Sequence, residues 1–437
     1  MATIRLISVG SRGDLHPYLT ILLELRRRGH AVSLIGSPNF RGQAEANQLE
    51  FVPLAGDFRA LMRSDQGKAL MQGKPARLVS DDLLVRWLNT SRPGIAGTDL
   101  LLVTPLTLWG YHLAEAEQCR LVVLSPFPIA TTGAFAFMRF PGPEKQPHVM
   151  RRMLNRLSYR LPAMLSWFQE SKVTQPYRQQ VLGLPRLPWV GARYRLHPPA
   201  SVENPVLLHL FSSRVLPVPP DWPANASATG FCVTHTDGSG RESSFYKPSL
   251  ALQAFLDAGP APFYAGFGSM IPADPERLGE IVVNASELAG QRLVLAPGWG
   301  LVMPDTVLPP SVFLLGECPH TWLFPRLRGA VHHGGAGTTA STLYSGIPST
   351  VVAFIADQRG WGHTLERLGV SPATHQASSV STKALAQSIR MIASDCRFRQ
   401  RARQLRDALA HEDGVATTAT AIEAQLRAFR QKQSEEK

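Results

Sequence analysis

Apolar residues along this chain come in short unbroken runs, separated by longer stretches in which they return at every third or fourth position. Short runs bounded by turn residues read as buried strands, and the 3.6-residue spacing reads as helix. TIRLISVG (3–10) predicts a strand, LHPYLTILLELRRRGH (15–30) a helix and AVSLIGS (31–37) a second strand. Strands follow at DLLLVT (99–104) and RLVVLSP (120–126), with a helix at TLWGYHLAEAEQ (107–118) between them. Such alternation builds a parallel sheet covered by helices.

The pattern then lapses. LPVPPDWPANASATG (216–230) is Pro-rich and irregular, and HTDGSGRESS (235–244) is polar and Gly/Ser-rich. Beyond it the alternation restarts with PFYAGFGSM (262–270), a helix over 274–290, and strands at QRLVLAPG (291–298), VFLLGE (312–317), AVHH (330–333) and STVVAF (349–354). A helical tail, ATAIEAQLRAFR (419–430), precedes QKQSEEK, which is predicted to fray. The fold class is therefore α/β. One α/β domain is predicted over 1–235, a linker over 236–248, a second such domain over 249–415, and a C-terminal helix and tail over 416–437.

Composition agrees with two cores, since 437 residues with 44% hydrophobic content exceed what one core usually holds. The start, MATIRLISVG, is strand-like and lacks the layout of a secretion signal. No run reaches the roughly 18 apolar residues that a membrane span needs, so a cytoplasmic protein is expected. Cys119, Cys232, Cys318 and Cys396 are isolated from one another and are expected to be plain thiols. Charge changes the picture more. Residues 1–220 hold 26 Lys and Arg against 14 Asp and Glu, whereas residues 221–437 hold 19 of each. A basic first half fits an anionic partner such as membrane headgroups, nucleic acid or acidic small molecules, and equally a solvated basic surface.

The most informative chemistry lies in AVHHGGAGTT (330–339), a strand that runs through glycines into a helix. That arrangement leaves unpaired backbone N–H groups at the positive end of the helix, where an anion fits. Gly334, Gly335 and Gly337 would admit a phosphate close to the backbone, Thr338 and Thr339 add hydroxyls, and His332 adds a donor or a charge. The alternative is a tight turn that needs glycine for positive φ. Neither GxxxxGK[ST] nor GxGxxG is present.

VGSRGDLHPYLTILLELRRRGHAVSLIGSPNF, FVPLAGDF, FYAGFGSM and CPHTWLFPRLRGAVHHGGAGTTASTLYSGIPSTVVAFIADQ together resemble the family 1 glycosyltransferases. The nearest branch holds sterol glucosyltransferases, glycopeptide glycosyltransferases and the second chain of rhamnolipid rhamnosyltransferase. The resemblance implies the GT-B architecture, in which two Rossmann-like domains face a central cleft, acceptor bound by the first and nucleotide-sugar by the second. It implies that His332 contacts the donor diphosphate, that Gly335, Gly337 and Thr338 form the phosphate-facing helix start, that Ser269 faces the phosphates, and that Asp357 and Gln358 bind the sugar hydroxyls. Read without the family, Ser269 is a turn former and Asp357 a helix cap. A glutamate that many relatives place eight residues after the phosphate histidine is Ala340 here, which leaves UDP and dTDP donors unseparated.

Asp14 is the expected catalytic base, because an inverting transfer must remove the acceptor hydroxyl's proton as it attacks. His16 is the alternative base, and Asp14 as a plain N-cap of helix 15–30 is the structural alternative. The chain contains no DxD, so transfer is expected to need neither metal nor cofactor beyond the nucleotide-sugar. HVMRRMLNRLSYRLPAMLSWFQESK (148–172) interleaves arginines with apolar residues, and reads as a segment lying on an anionic bilayer or as a core-facing helix pair. A greasy run at FPIATTGAFAFMRF (127–140) would suit a hydrophobic acceptor. The partners expected are thus a nucleotide-sugar, a hydrophobic hydroxylated acceptor and anionic membrane, with location at its inner face if the basic half docks there. No nucleic-acid module is recognisable. The rival reading is a catalytically silent nucleotide-sugar-binding protein docked through its basic half.

Overall fold

A computed structural model describes residues 1–71, 74, 76–140, 148–187, 205–233, 246–301 and 308–435. Two wholly parallel sheets organise them. The first takes the order β3-β2-β1-β4-β5-β6-β7, with β1 at Thr3–Ser8, β2 at Ala31–Gly36, β3 at Glu50–Pro53, β4 at Leu100–Val103, β5 at Arg120–Ser125, β6 at Val206–His209 and β7 at Ala226–Ala228. The second takes the order β10-β9-β8-β11-β12-β13, with β8 at Phe263–Gly266, β9 at Leu293–Ala296, β10 at Val312–Leu314, β11 at Gly329–His332, β12 at Ser349–Ala353 and β13 at Thr374–Gln376.

Both orders reverse direction once, between β1 and β4 in the first sheet and between β8 and β11 in the second. In open α/β sheets such a reversal opens a crevice at the strands' carboxyl ends, where ligands bind. The strands are apolar on both faces because helices cover both. Leu100 and Leu102 of β4 pack with the first helix (Arg12–Arg27), while Leu101 and Val103 pack on the opposite side with the helix over Asp81–Gly94. Alternate residues of one strand thereby serve two cores.

The Pro-rich stretch at 216–230 is not wholly irregular, since it contains β7, the edge strand of the first sheet. Residues 236–245 of the linker drawn from sequence lie outside the described residues. The tail does not fray at 431: the C-terminal helix runs over Gly414–Glu435. It packs against the first helix of the N-terminal half, where Glu423 accepts from Arg28 at 3.0 Å and meets His30 at 3.1 Å. The chain therefore crosses between the halves twice. The crossings touch at two glycines, where a Cβ on Gly230 (φ +100°) would lie 2.9 Å from the Gly414 Cα.

Two further bridges span the cleft. Met62 and Met71 of the first half enter the core of the second beside Phe267 and Phe354. On the other flank Phe140 packs edge-on against Trp361, ring centroids 5.0 Å apart. Among the described residues no helix is long and apolar enough to cross a membrane.

Candidate functional site

The first half of the site is the turn after β1. The helix begins at Arg12, three residues earlier than the periodicity predicted, so its N-cap is Ser11 and Asp14 is its third residue. Asp14 is therefore not the N-cap. Its Oδ2 accepts from the Ser11 backbone N–H at 2.7 Å and from Ser11 Oγ at 2.8 Å, a reciprocal cap that contributes about 1 kcal/mol to helix stability. Asp14 keeps contact with solvent while neighbouring protein crowds around its carboxyl. That crowding raises its pKa, against the Ser11 hydrogen bonds that lower it. Gly10 makes room for the carboxyl, since a Cβ there would meet Asp14 Oδ2 at 2.7 Å.

Tyr18 lies one helical turn beyond Asp14 on the same face and is 3% exposed. Burial raises its pKa, and the charges of Asp14 and Asp357 add to the effect. His16 points round the helix from Asp14, and its Nε2 lies 3.5 Å from Gln43 Nε2.

Asp357 comes from the second half, at the start of the helix Gln358–Arg367. Trp361 Nε1 donates to its Oδ2 at 2.9 Å. Burial pushes its pKa up to about 7, and the Asp14 charge adds to the shift. Two carboxylates, one from each half, thus lie close enough for the charge of one to act on the other. The loop carrying Asp357 is held open by its neighbour: Gln358 Oε1 accepts from Phe354 N at 2.8 Å and Ile355 N at 3.2 Å, and Ala356 adopts φ +55°. A non-glycine residue in that region is costly and persists where the surroundings impose it. Gln358 itself is 5% exposed, so its amide mainly shapes this loop.

The third part is the turn after β11, beside the turn after β8 because His332 pairs with Gly266. Here the structure parts from the expectation for His332. Its ring is fully buried, Nε2 lies 3.1 Å from Ser349 Oγ, and Nδ1 accepts the Gly334 N–H at 3.1 Å. No ring nitrogen is left for a diphosphate. Burial, with His333 and His320 nearby, pushes its pKa down to about 3.

His333 occupies the mouth instead. Its ring lies against the Gly266–Gly268 turn, and a Cβ on Gly335 would approach its Nε2 to 2.4 Å. Gly335 has ordinary φ, −63°, so glycine is needed there to seat this ring, whereas Gly334 is required by its φ of +82°. Burial pushes the His333 pKa to about 4, against a hydrogen bond with the Gly266 backbone that raises it, so near neutral pH the ring is uncharged and carries a single N–H.

Ser269 is half-buried at the end of the adjoining turn. The helix Ala336–Tyr344 has Gly335 as N-cap and no side-chain cap. Gly337 and Thr338 lie in its first turn, Gly337 exposed with open space where a Cβ would stand. Uncapped N–H groups beside a neutral imidazole suit a phosphate.

Sequence reasoning passed over His333, Tyr18, Trp361 and Phe140. For His333 the signal was available: successive strand residues face opposite sides, so only one histidine of the pair can serve the mouth.

Known proteins resemble this chain over most of its length. Residues 4–82 match the family model for the glycosyltransferase family 28 N-terminal domain, and residues 302–424 match the one for the erythromycin biosynthesis protein CIII-like C-terminal domain. Two sterol 3-beta-glucosyltransferases of Arabidopsis thaliana are 29% and 30% identical over 97% and 94% of this chain. The chain spans 68% and 64% of their own lengths. Among solved structures, the glycosyltransferase of kitacinnamycin superposes with a TM-score of 0.68 at 22% identity, covering 97% of this chain and 99% of that one.

Proposed function

The chain belongs to the nucleotide-sugar-dependent glycosyltransferases of the GT-B fold, and on that footing we propose that it moves a hexose, glucose or rhamnose, from a UDP- or dTDP-sugar to a hydroxyl of a hydrophobic, lipid-like acceptor, with inversion and without a metal ion. The observation that carries the reading is that Asp14 and Asp357, each at the carboxyl end of its own sheet, lie close enough across the cleft for their charges to act on each other.

Asp14 takes the acceptor hydroxyl's proton while that oxygen forms its bond to the anomeric carbon. The bond from that carbon to the nucleotide diphosphate breaks on the opposite face. His333, Ser269 and the open helix end at Gly337 and Thr338 hold the departing diphosphate, whose growing charge is met by N–H and O–H donors already in place. Asp357 receives sugar hydroxyls, oriented by Trp361. Counting eight residues from His333 moves the expected ribose position from Ala340 to Ser341, whose Oγ donates to the Gly337 carbonyl at 2.9 Å. The names of the Arabidopsis relatives favour a sterol among the acceptor classes.

Incubation with UDP-glucose or dTDP-rhamnose and a dispersed sterol tests this. The expected product is a glycoside of inverted anomeric configuration by NMR, formed equally well in EDTA. Retention overturns the proposed stereochemistry, and loss of activity in EDTA overturns metal independence.

A further inference from the structure

The segment at 148–172 is neither a core-facing pair nor fully packed. It belongs to one helix, Val149–Gln180, buried on one side and bare on the other. Nine of the seventeen large apolar side chains exposed among the described residues lie between Val149 and Phe168. Met150, Leu154, Leu157, Leu161, Met164 and Phe168 repeat by fours and threes, and are 74%, 58%, 43%, 48%, 37% and 46% exposed. Met153 and Leu165, 65% and 64% exposed, widen that stripe to roughly 120° of the helix at 3.6 residues per turn. Apolar surface on that scale marks an interaction site.

We propose that this face docks on an anionic lipid bilayer. Charge decides the occupant. From Val149 to Gln169 the helix carries Arg151, Arg152, Arg156 and Arg160 and no acidic residue. Arg151 and Arg160, both exposed, flank the stripe on either side, while Arg156 is tied to Asp221 at 2.8 Å. A second copy would bring arginine against arginine with no acid to pair it, and the stripe is wider than a two-helix seam requires. Anionic headgroups match the arginines, and the interface admits the leucines and methionines between them.

The opposite side of the same helix grips the loop that approaches the sugar site. Asn155 donates to the Gly133 carbonyl at 2.8 Å, Ser158 Oγ accepts from Phe137 N at 2.9 Å, and Tyr159 packs on Phe137 at 5.2 Å. That loop ends in Phe140, against Trp361 and so beside Asp357. A docked helix holds the acceptor side of the cleft close to the membrane, and this purpose, though not the docking itself, rests on the lipid-like acceptor proposed above.

The test is flotation of the full chain with phosphatidylcholine vesicles, with and without roughly 30% phosphatidylglycerol, in the absence of any substrate. Binding to the anionic vesicles alone, weakened by salt, is expected. Arg151→Gln and Arg160→Gln should each weaken it roughly fivefold. The double variant Leu157→Glu, Leu161→Glu should lose at least tenfold in binding while its turnover of a detergent-dispersed acceptor stays at the wild-type level. A wild type that ignores anionic vesicles, or a dimer by light scattering that these glutamates split, overturns the proposal. Vesicle binding without sugar transfer supports the docking face and sinks the reaction instead.

Discussion

The turns after β1 and β11 are built alike and finished differently. Each leaves a switch point through glycine and enters a helix. After β1 the helix end is closed by the chain itself, since Asp14 reaches back to Ser11. After β11 the N-cap is Gly335 and no side chain closes the end. The first turn thus carries a self-capped carboxyl and the second an open cluster of donors beside a neutral imidazole. Under the function proposed above, one topology would supply both a proton acceptor and an anion seat, the change needed being whether the cap comes from the chain or from the ligand.

The contrast breaks most sharply at Asp14. Asp14→Asn preserves the shape and most of the cap but cannot take the proton, so turnover should fall by about 10²–10⁴ with nucleotide-sugar affinity and melting temperature nearly unchanged. Steady-state kinetics and calorimetric binding read both quantities. Should His16→Ala be the dead variant instead, the base is His16.

The paired histidines give the next effect. His333→Ala should raise the barrier by about 2–4 kcal/mol through lost stabilisation of the leaving diphosphate, and leave the melting point alone. His332→Ala should do the reverse, costing about 1–3 kcal/mol of stability by stranding Ser349 Oγ and the Gly334 N–H. A His332 variant that folds normally and turns over slowly would return the phosphate role to that residue.

The smallest effect concerns Asp357. Its pKa in the folded chain, about 7, exceeds the unfolded value of 3.8, so the folded state holds the proton more tightly and stability falls as pH rises between them. Asp357→Asn removes that penalty. At pH 8 the variant should be more stable than wild type by about 1 kcal/mol, given the carboxyl's contact with solvent, and at pH 4 no more stable. Melting curves at the two pH values decide it, and an equal shift at both would mean that the carboxyl is not strained.

Long apolar strands and their helices were legible because burial on both faces leaves unbroken runs, as at Leu100–Val103. The edge strands Ala226–Ala228 and Thr374–Gln376 were not, being three residues long and largely outside the core, so no period can form. At the site, glycine spacing marked the open helix end at Gly335, but which histidine lies beside it depended on where β11 ends. Tyr18 and Trp361 read as ordinary helix residues, and their importance comes from a contact between halves that local periodicity does not encode. The landing of the C-terminal helix on the first half was hidden for the same reason.

That return crossing has a mechanical consequence. A chain that passes once between two bodies leaves them free to swivel in any direction. Here two passes run side by side, pinned where Gly230 meets Gly414. A second pass beside the first opposes free swivelling, and the Met62 and Phe140 contacts on the two flanks add to that restraint. The halves are braced at several points, which holds the walls carrying Asp14 and Asp357 in one alignment.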